Sequence, residues 1–132
     1  MIIFISGSKT INCLSGEVKK FLQGCAENGD EFIVGDCSGV DKAAQTILSA
    51  LGVKKVTVYC SGKSPRNNVG GWKVITLGVN NLKGYEYYRA KDKRMAEDSD
   101  FAVAVWDGKS RGTKNNIEEM KRLNKPVKIF FI

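Results

Sequence analysis

Short apolar runs alternate with helical stretches along the chain, and three of those runs end in glycine-bearing turns. Together these observations predict an α/β protein, with three layers, a mainly parallel twisted sheet and helices on both faces. The third observation is size: 132 residues with 42% hydrophobic content suffice for one core, so residues 1–132 are expected to form a single domain.

Residues 2–5 (IIFI) are the first strand, and Ser6-Gly7-Ser8-Lys9-Thr10 is the turn that ends it. No GxxxxGK[ST] follows, so this is not a Walker loop. Ser15 then caps a helix whose Val18, Phe21, Leu22 and Cys25 fall at i, i+3, i+4 and i+7, and Asn28-Gly29-Asp30 ends it. Residues 31–34 form a second buried strand. The turn 35–41 follows, with Ser38 or Asp41 as the expected helix cap. Val40, Ala43, Ala44, Ile47, Leu48 and Leu51 make one wide apolar stripe, and Gly52 stops that helix. Residues 56–60 (VTVYC) are a β-branched strand.

From 61 to 83 the alternation breaks into turn chemistry, an irregular insertion of the length usually found in functional or mobile loops. Within it, 72–77 suggest a short strand at a sheet edge or outside the sheet. Residues 84–98 read as a helix burying Tyr87, Tyr88, Ala90 and Met95. Residues 101–106 (FAVAVW) are a near-continuous apolar strand of the kind found at the centre of a parallel sheet. A third turn spans 107–113. A helix with Ile117, Met120 and Leu123 inside is broken at Asn124-Lys125-Pro126, and 127–132 close the sheet.

Composition removes several functions. There is no histidine, so Ser-His-Asp and Cys-His pairs and histidine-bearing metal sites are excluded. The four cysteines include no CxxC, and neither a metal nor a cofactor is expected. With no signal peptide and no membrane-length apolar run, the expected location is cytoplasmic. The net charge of +7 is concentrated. Residues 83–94 carry five basic and two acidic groups, 109–125 six and two, and the rest cancel. Such a field suits an anionic partner, although an ordinary lysine-rich surface has the same composition.

In a parallel sheet the strands' C-terminal ends share one edge, where ligands bind. All three turns lie there. Glycines allow close backbone approach, and a helix N-terminus attracts phosphate. A single turn of this kind is often only a tight connection; three in one crevice favour a ligand. The candidate phosphate-binding residues are Gly7, Ser8 and Lys9; Gly35, Asp36, Ser38, Gly39 and Asp41; and Gly108, Arg111, Gly112 and Thr113. Arg89 and Arg94 join them as bidentate phosphate partners. Trp72, Trp106, Tyr87 or Tyr88 is available to stack a base, or to fill the core.

The Gly7-Ser8 turn, the Gly35-Asp36…Gly39…Asp41 turn, the Lys91…Met95…Asp100 helix end and the late Gly108…Gly112-Thr113 together resemble the SLOG superfamily. These are Rossmann-like domains that include the "lysine decarboxylase-like" (LOG) cytokinin-activating proteins and the Smf-type DNA-processing proteins. The resemblance covers most of the chain outside 61–83 and implies a pocket for nucleotides or nucleotide-derived ligands. Some members cleave the N-glycosidic bond of nucleoside monophosphates with the Glu of a PGGxGTxxE signature and an Arg of the preceding helix. Here the prolines are absent and Asn116 stands at the Glu position. Three functions therefore remain: nucleotide binding or sensing; N-glycosidic hydrolysis or transfer using Asp36, Asp41, Glu86 or Glu118; and, ranked lower, single-stranded nucleic-acid binding. A Cys37 thiolate nucleophile lacks an evident base. The expected partner is a nucleotide-like small molecule, with no membrane, and a homo-oligomer such as a dimer stays open.

Overall fold

The structure is a computed structural model describing residues 1–78 and 83–132. Its elements run β1 (Ile2–Gly7), α1 (Gly16–Glu27), β2 (Glu31–Gly35), α2 (Val40–Ala50), β3 (Val56–Cys60), β4 (Lys73–Thr76), α3 (Gly84–Asp98), β5 (Phe101–Trp106), α4 (Arg111–Arg122) and β6 (Val127–Phe131). The six strands form one sheet in the order β4-β3-β2-β1-β5-β6. Every neighbouring pair is parallel. The expected α/β fold is therefore present, with a sheet that is wholly rather than mainly parallel. The strand expected within 72–77 is β4, and it is the edge of the main sheet beside β3. The end of the insertion, residues 79–82, lies outside the described residues.

Side chains alternate across each strand, so one strand feeds two cores. Ile3, Ile5, Phe32, Val34, Val56, Val58, Val103 and Val105 pack with Val18 and Leu22 of α1 and Val40, Ala44 and Leu48 of α2. Phe4, Ile33, Tyr59 and Ala102 face the other way, against Met95 and Ala96 of α3 and Met120 of α4. Ser15 caps α1 as expected, accepting the Val18 N–H at 3.3 Å.

Three expectations need correction. Gly39, not Ser38 or Asp41, occupies the cap position of α2, at φ 75° and without a side-chain cap bond. A side chain there would strike the Lys9 backbone, with Cβ 2.3 Å from its carbonyl oxygen, so the turn excludes any capping residue. The buried side of α3 is Lys91, Met95 and Ala96, while Tyr88 is half exposed. A lysine thus takes a position that apolar periodicity assigns to a hydrophobe. Finally, α4 begins at Arg111, so Gly112 and Thr113 belong to its first turn and not to the preceding loop.

Candidate functional site

The sheet order puts the turn after β1 between those after β2 and β5, and the three are locked together. The Ser8 N–H donates to the Val105 carbonyl at 3.2 Å, and the Ser8 carbonyl accepts the Val40 N–H at 3.2 Å. Its hydroxyl accepts the Asp107 N–H at 3.4 Å. A Cβ at Gly7 would lie 2.5 Å from the Val40 side chain. Gly7, Ser8 and Gly39 therefore set the close approach of β1 to α2.

Between these turns, α3 and α4 lies a cavity of about 400 Å³. Of the sequence candidates, Gly7, Lys9, Asp41, Arg89, Arg111, Gly112 and Thr113 line it. Ser8, Gly35, Asp36 and Gly39 are buried around it without lining it, and Ser38, Gly108 and Glu118 are exposed outside the lining. Arg94 is likewise outside and pairs with Asp98 at 2.9 Å. Trp72 and Trp106 donate their indole N–H groups to the Val53 and Ser110 carbonyls, and neither lines the cavity. Tyr88 does, together with Tyr85, Arg66, Lys91, Asp92, Asn116 and Cys37.

A buried charge cluster underlies the cavity. Asp36 receives Arg66 in a fork, Nε at 3.1 Å and Nη2 at 2.8 Å, plus the Arg66 backbone N–H at 2.9 Å. Burial opposes ionisation of Asp36, but these hydrogen bonds and the nearby Lys91 outweigh it and hold its pKa below the usual carboxylate value. The Lys91 ammonium lies 3.6 Å from Asp36 Oδ1 and 4.0 Å from Asp92 Oδ1. Burial favours its neutral form, yet Asp41, Asp92 and Asp36 prevail and raise its pKa. Asp41 accepts the Cys37 N–H through Oδ2 at 3.2 Å. Burial pushes its pKa up to about 6 against the pull of Lys91, and burial likewise raises that of Asp92. A Cβ at Gly35 would lie 2.5 Å from Asp41 Oδ2 and 2.8 Å from Lys91 Nζ, so any larger residue there displaces these charged ends.

The opposite wall belongs to α3 and α4. Arg89 donates to Asn116 Oδ1 at 3.1 Å, and Asn116 Nδ2 donates to the Ser6 hydroxyl at 2.8 Å. The amide at the signature position is thus held by both its ends. Glu119 pairs with Arg122 and, at 3.8 Å, with Arg89, outside the cavity lining. The Ser110 side chain does not cap α4. The N–H groups of Arg111, Gly112 and Thr113 find no acceptor among the described residues, which is the arrangement that receives an anion. At the rim, Arg111 sits 5.0 Å from the Tyr85 ring centre and Arg66 5.3 Å from that of Tyr88. Asn115 also contacts the Tyr85 hydroxyl.

Residues missed as site residues from sequence are Arg66, Tyr85, Lys91 and Asp92, with Asn116 noted only as a substitution. Lys91 left a signal, since it is a charge four residues before buried Met95 on an apolar stripe. Arg66 left none, because its place depends on how residues 61–72 fold back. Buried Gln45 anchors that segment by donating to the Gly35 and Asn67 carbonyls and accepting the Val69 N–H.

No protein-family model matches the chain, and no curated protein matches it in sequence. Among solved structures it is similar to DNA processing protein A from Helicobacter pylori, described for its single-stranded DNA binding mode. The two share 16% sequence identity at a TM-score of 0.72, over 98% of this chain and 64% of that one. The chain thus spans somewhat less than two thirds of that protein's length, and at this identity the likeness is one of fold.

Proposed function

We propose that the cavity binds a nucleotide or nucleotide-derived, phosphate-bearing ligand, and that the chain is a single-domain, cytoplasmic member of the SLOG superfamily. The observation that carries this reading is the uncapped first turn of α4, which opens into a cavity also lined by Lys9, Arg89 and Arg111. Three backbone N–H groups, the positive end of the helix dipole and guanidinium forks all suit a phosphate. Titration calorimetry with nucleoside 5′-monophosphates tests it. Saturable one-to-one binding by the wild type is expected, weakened about tenfold or more in Arg89→Ala. No measurable binding by the folded protein overturns the reading.

Single-stranded DNA is the second reading, favoured by half-exposed Tyr85 and Tyr88 beside Arg111 and Arg66 at the rim. Aromatic faces flanked by cations can stack successive bases, and the Helicobacter pylori protein of the same fold binds single-stranded DNA. Log affinity would then fall with log salt by about 0.7 per neutralised phosphate. A mononucleotide with its one phosphate would show a shallow slope. Glycosidic cleavage is the alternative that the geometry favours least. Asn116 is an amide and takes no proton near neutral pH, so little or no free base is expected from nucleoside monophosphates.

A further inference from the structure

The α4 side of the cavity accounts for a phosphate, and the opposite floor has a different chemistry. Lys91 is 5% exposed, yet it lines the cavity. Its nearest carboxylate oxygens, at 3.6 and 4.0 Å, lie beyond hydrogen-bond length. Beside it, Asp41 is 9% exposed and also lines the cavity. Its Oδ2 is occupied by the Cys37 N–H, whereas Oδ1 makes no hydrogen bond among the described residues. Asp92, which Asn116 also approaches, lines the cavity as well. Donor capacity on Lys91 and acceptor capacity on Asp41 are therefore both open to the cavity, since no buried side-chain polar atom among the described residues lacks a partner.

Three kinds of ligand group can be weighed against these residues. A phosphate placed here would meet two carboxylates. An ammonium would meet Lys91, which already sits where a cation would balance Asp36, Asp41 and Asp92. A hydroxyl is neutral, accepts one hydrogen bond and donates another, so it satisfies Lys91 and a carboxylate together without adding charge. Two vicinal hydroxyls can use Asp41 and Asp92 together with the lysine.

Resting on the nucleotide reading above, we infer that this floor is a sugar-hydroxyl subsite. Lys91 donates to the ribose hydroxyls of a ribonucleotide, Asp41 and Asp92 accept from them, and the phosphate lies at the first turn of α4. The site then selects ribonucleotides over nucleotides that lack the hydroxyls. This deepens the first functional reading and disfavours the second, because deoxyribose offers the floor fewer hydroxyls and DNA lacks the 2′ group altogether.

Calorimetric titration of the wild-type chain with the four ribonucleoside 5′-monophosphates and their 2′,3′-dideoxy analogues tests the inference. Hydrogen bonds to charged groups predict a preference of about tenfold or more for the ribo form. Asp92→Asn, a near-isosteric change, is expected to shrink that ratio by about threefold or more while phosphate-dependent binding of the dideoxy form persists. Lys91→Met should shrink it further. If that variant fails to fold, the wild-type pair and Asp92→Asn still decide the matter. Equal affinity for ribo and dideoxy forms overturns the hydroxyl subsite and leaves the nucleotide reading standing. A wild-type preference that Asp92→Asn and Lys91→Met both leave unchanged also overturns it. Binding of an oligodeoxynucleotide without any mononucleotide overturns both.

Discussion

On the α1/α2 face of the sheet, β1, β2 and β5 present Ile3 and Ile5, Phe32 and Val34, and Val103 and Val105, all buried. On the α3/α4 face the same strands present Phe4 then Ser6, Ile33 then Gly35, and Ala102 then Ala104. On the second face the side chains of β1 and β2 shrink toward the strands' C-terminal ends while β5 stays alanine, and there the cavity opens. The helices differ in the same way. α1 and α2 bury Val18, Leu22, Val40, Ala44 and Leu48 in that core, and α2 also buries Asp41 and Gln45; α3 and α4 bury Lys91, Asn116 and Glu119 alongside Met95 and Met120. One face of the sheet closes on itself as a hydrophobic core. The other adds to its smaller core a set of polar groups that hold one another around the cavity.

The comparison is broken most severely by cutting into the apolar face. Leu22 and Leu48 are fully buried, so Leu22→Ala and Leu48→Ala are each expected to cost about 2–5 kcal/mol, read from urea denaturation. Nucleotide affinity of the protein that remains folded should stay within about twofold, because neither side chain lines the cavity. A large change in affinity at modest cost in stability would show that the two faces are not separable.

Gly35→Ala is the converse cut. The added Cβ would force Asp41 and Lys91 apart, with a stability cost of about 1–3 kcal/mol for overpacking and loss of most of the nucleotide binding. Wild-type affinity in a folded Gly35→Ala protein would remove the charged floor from the site.

The polar face also carries two opposed pH dependences. The Asp41 pKa rises from 3.8 to about 6 on folding. Its contribution is therefore fully present below the unfolded value and lost as the pH rises through about 6. Asp41→Asn removes that loss, so the variant should gain on the wild type by on the order of 3 kcal/mol between about pH 4 and pH 7. Asp36 runs the other way. Its folded pKa is depressed, so it stabilises above its unfolded value of 3.8 and loses that contribution as pH falls through the folded value. Asp36→Asn should flatten the acid limb and release Arg66. Denaturation midpoints across this range check both signs, and parallel curves for wild type and Asp41→Asn would contradict the first.

The apolar face was legible in the sequence because periodicity reports burial directly: Val18, Leu22, Ala44 and Leu48 fall where spacing puts them. The three strand-end turns were legible for a related reason, since glycine marks backbone that approaches other backbone, as Gly39 does at Lys9. The floor was not. Lys91 showed only as a charge on an apolar stripe and Asp92 as an ordinary surface charge, and only the fold shows that Asp36, Asp41 and Gly35 have made room for them. Arg66 was out of reach because Gln45 and Asp36, 21 and 30 residues upstream, hold the segment that carries it. The same limit applies to α3, where Tyr88 looked like core and instead stands at the rim.

The smallest effect is expected at Glu118, and it tests the geometry of the site wall. Glu118 follows Asn116 by two residues, about 200° around the helix. Asn116 is buried and lines the cavity, whereas Glu118 is exposed and does not. A carboxylate on that side of α4 cannot reach a ligand held by Arg89 and the first turn of the same helix without turning the helix over. Glu118→Gln should therefore change stability by less than about 0.5 kcal/mol, the usual range for a surface substitution, and leave nucleotide affinity unchanged. Any slow release of free base should also be untouched, as measured by chromatography of a nucleoside monophosphate after prolonged incubation. If Glu118→Gln instead abolishes base release, the reacting carboxylate works from the outer face of α4, and the ligand lies outside the cavity described here.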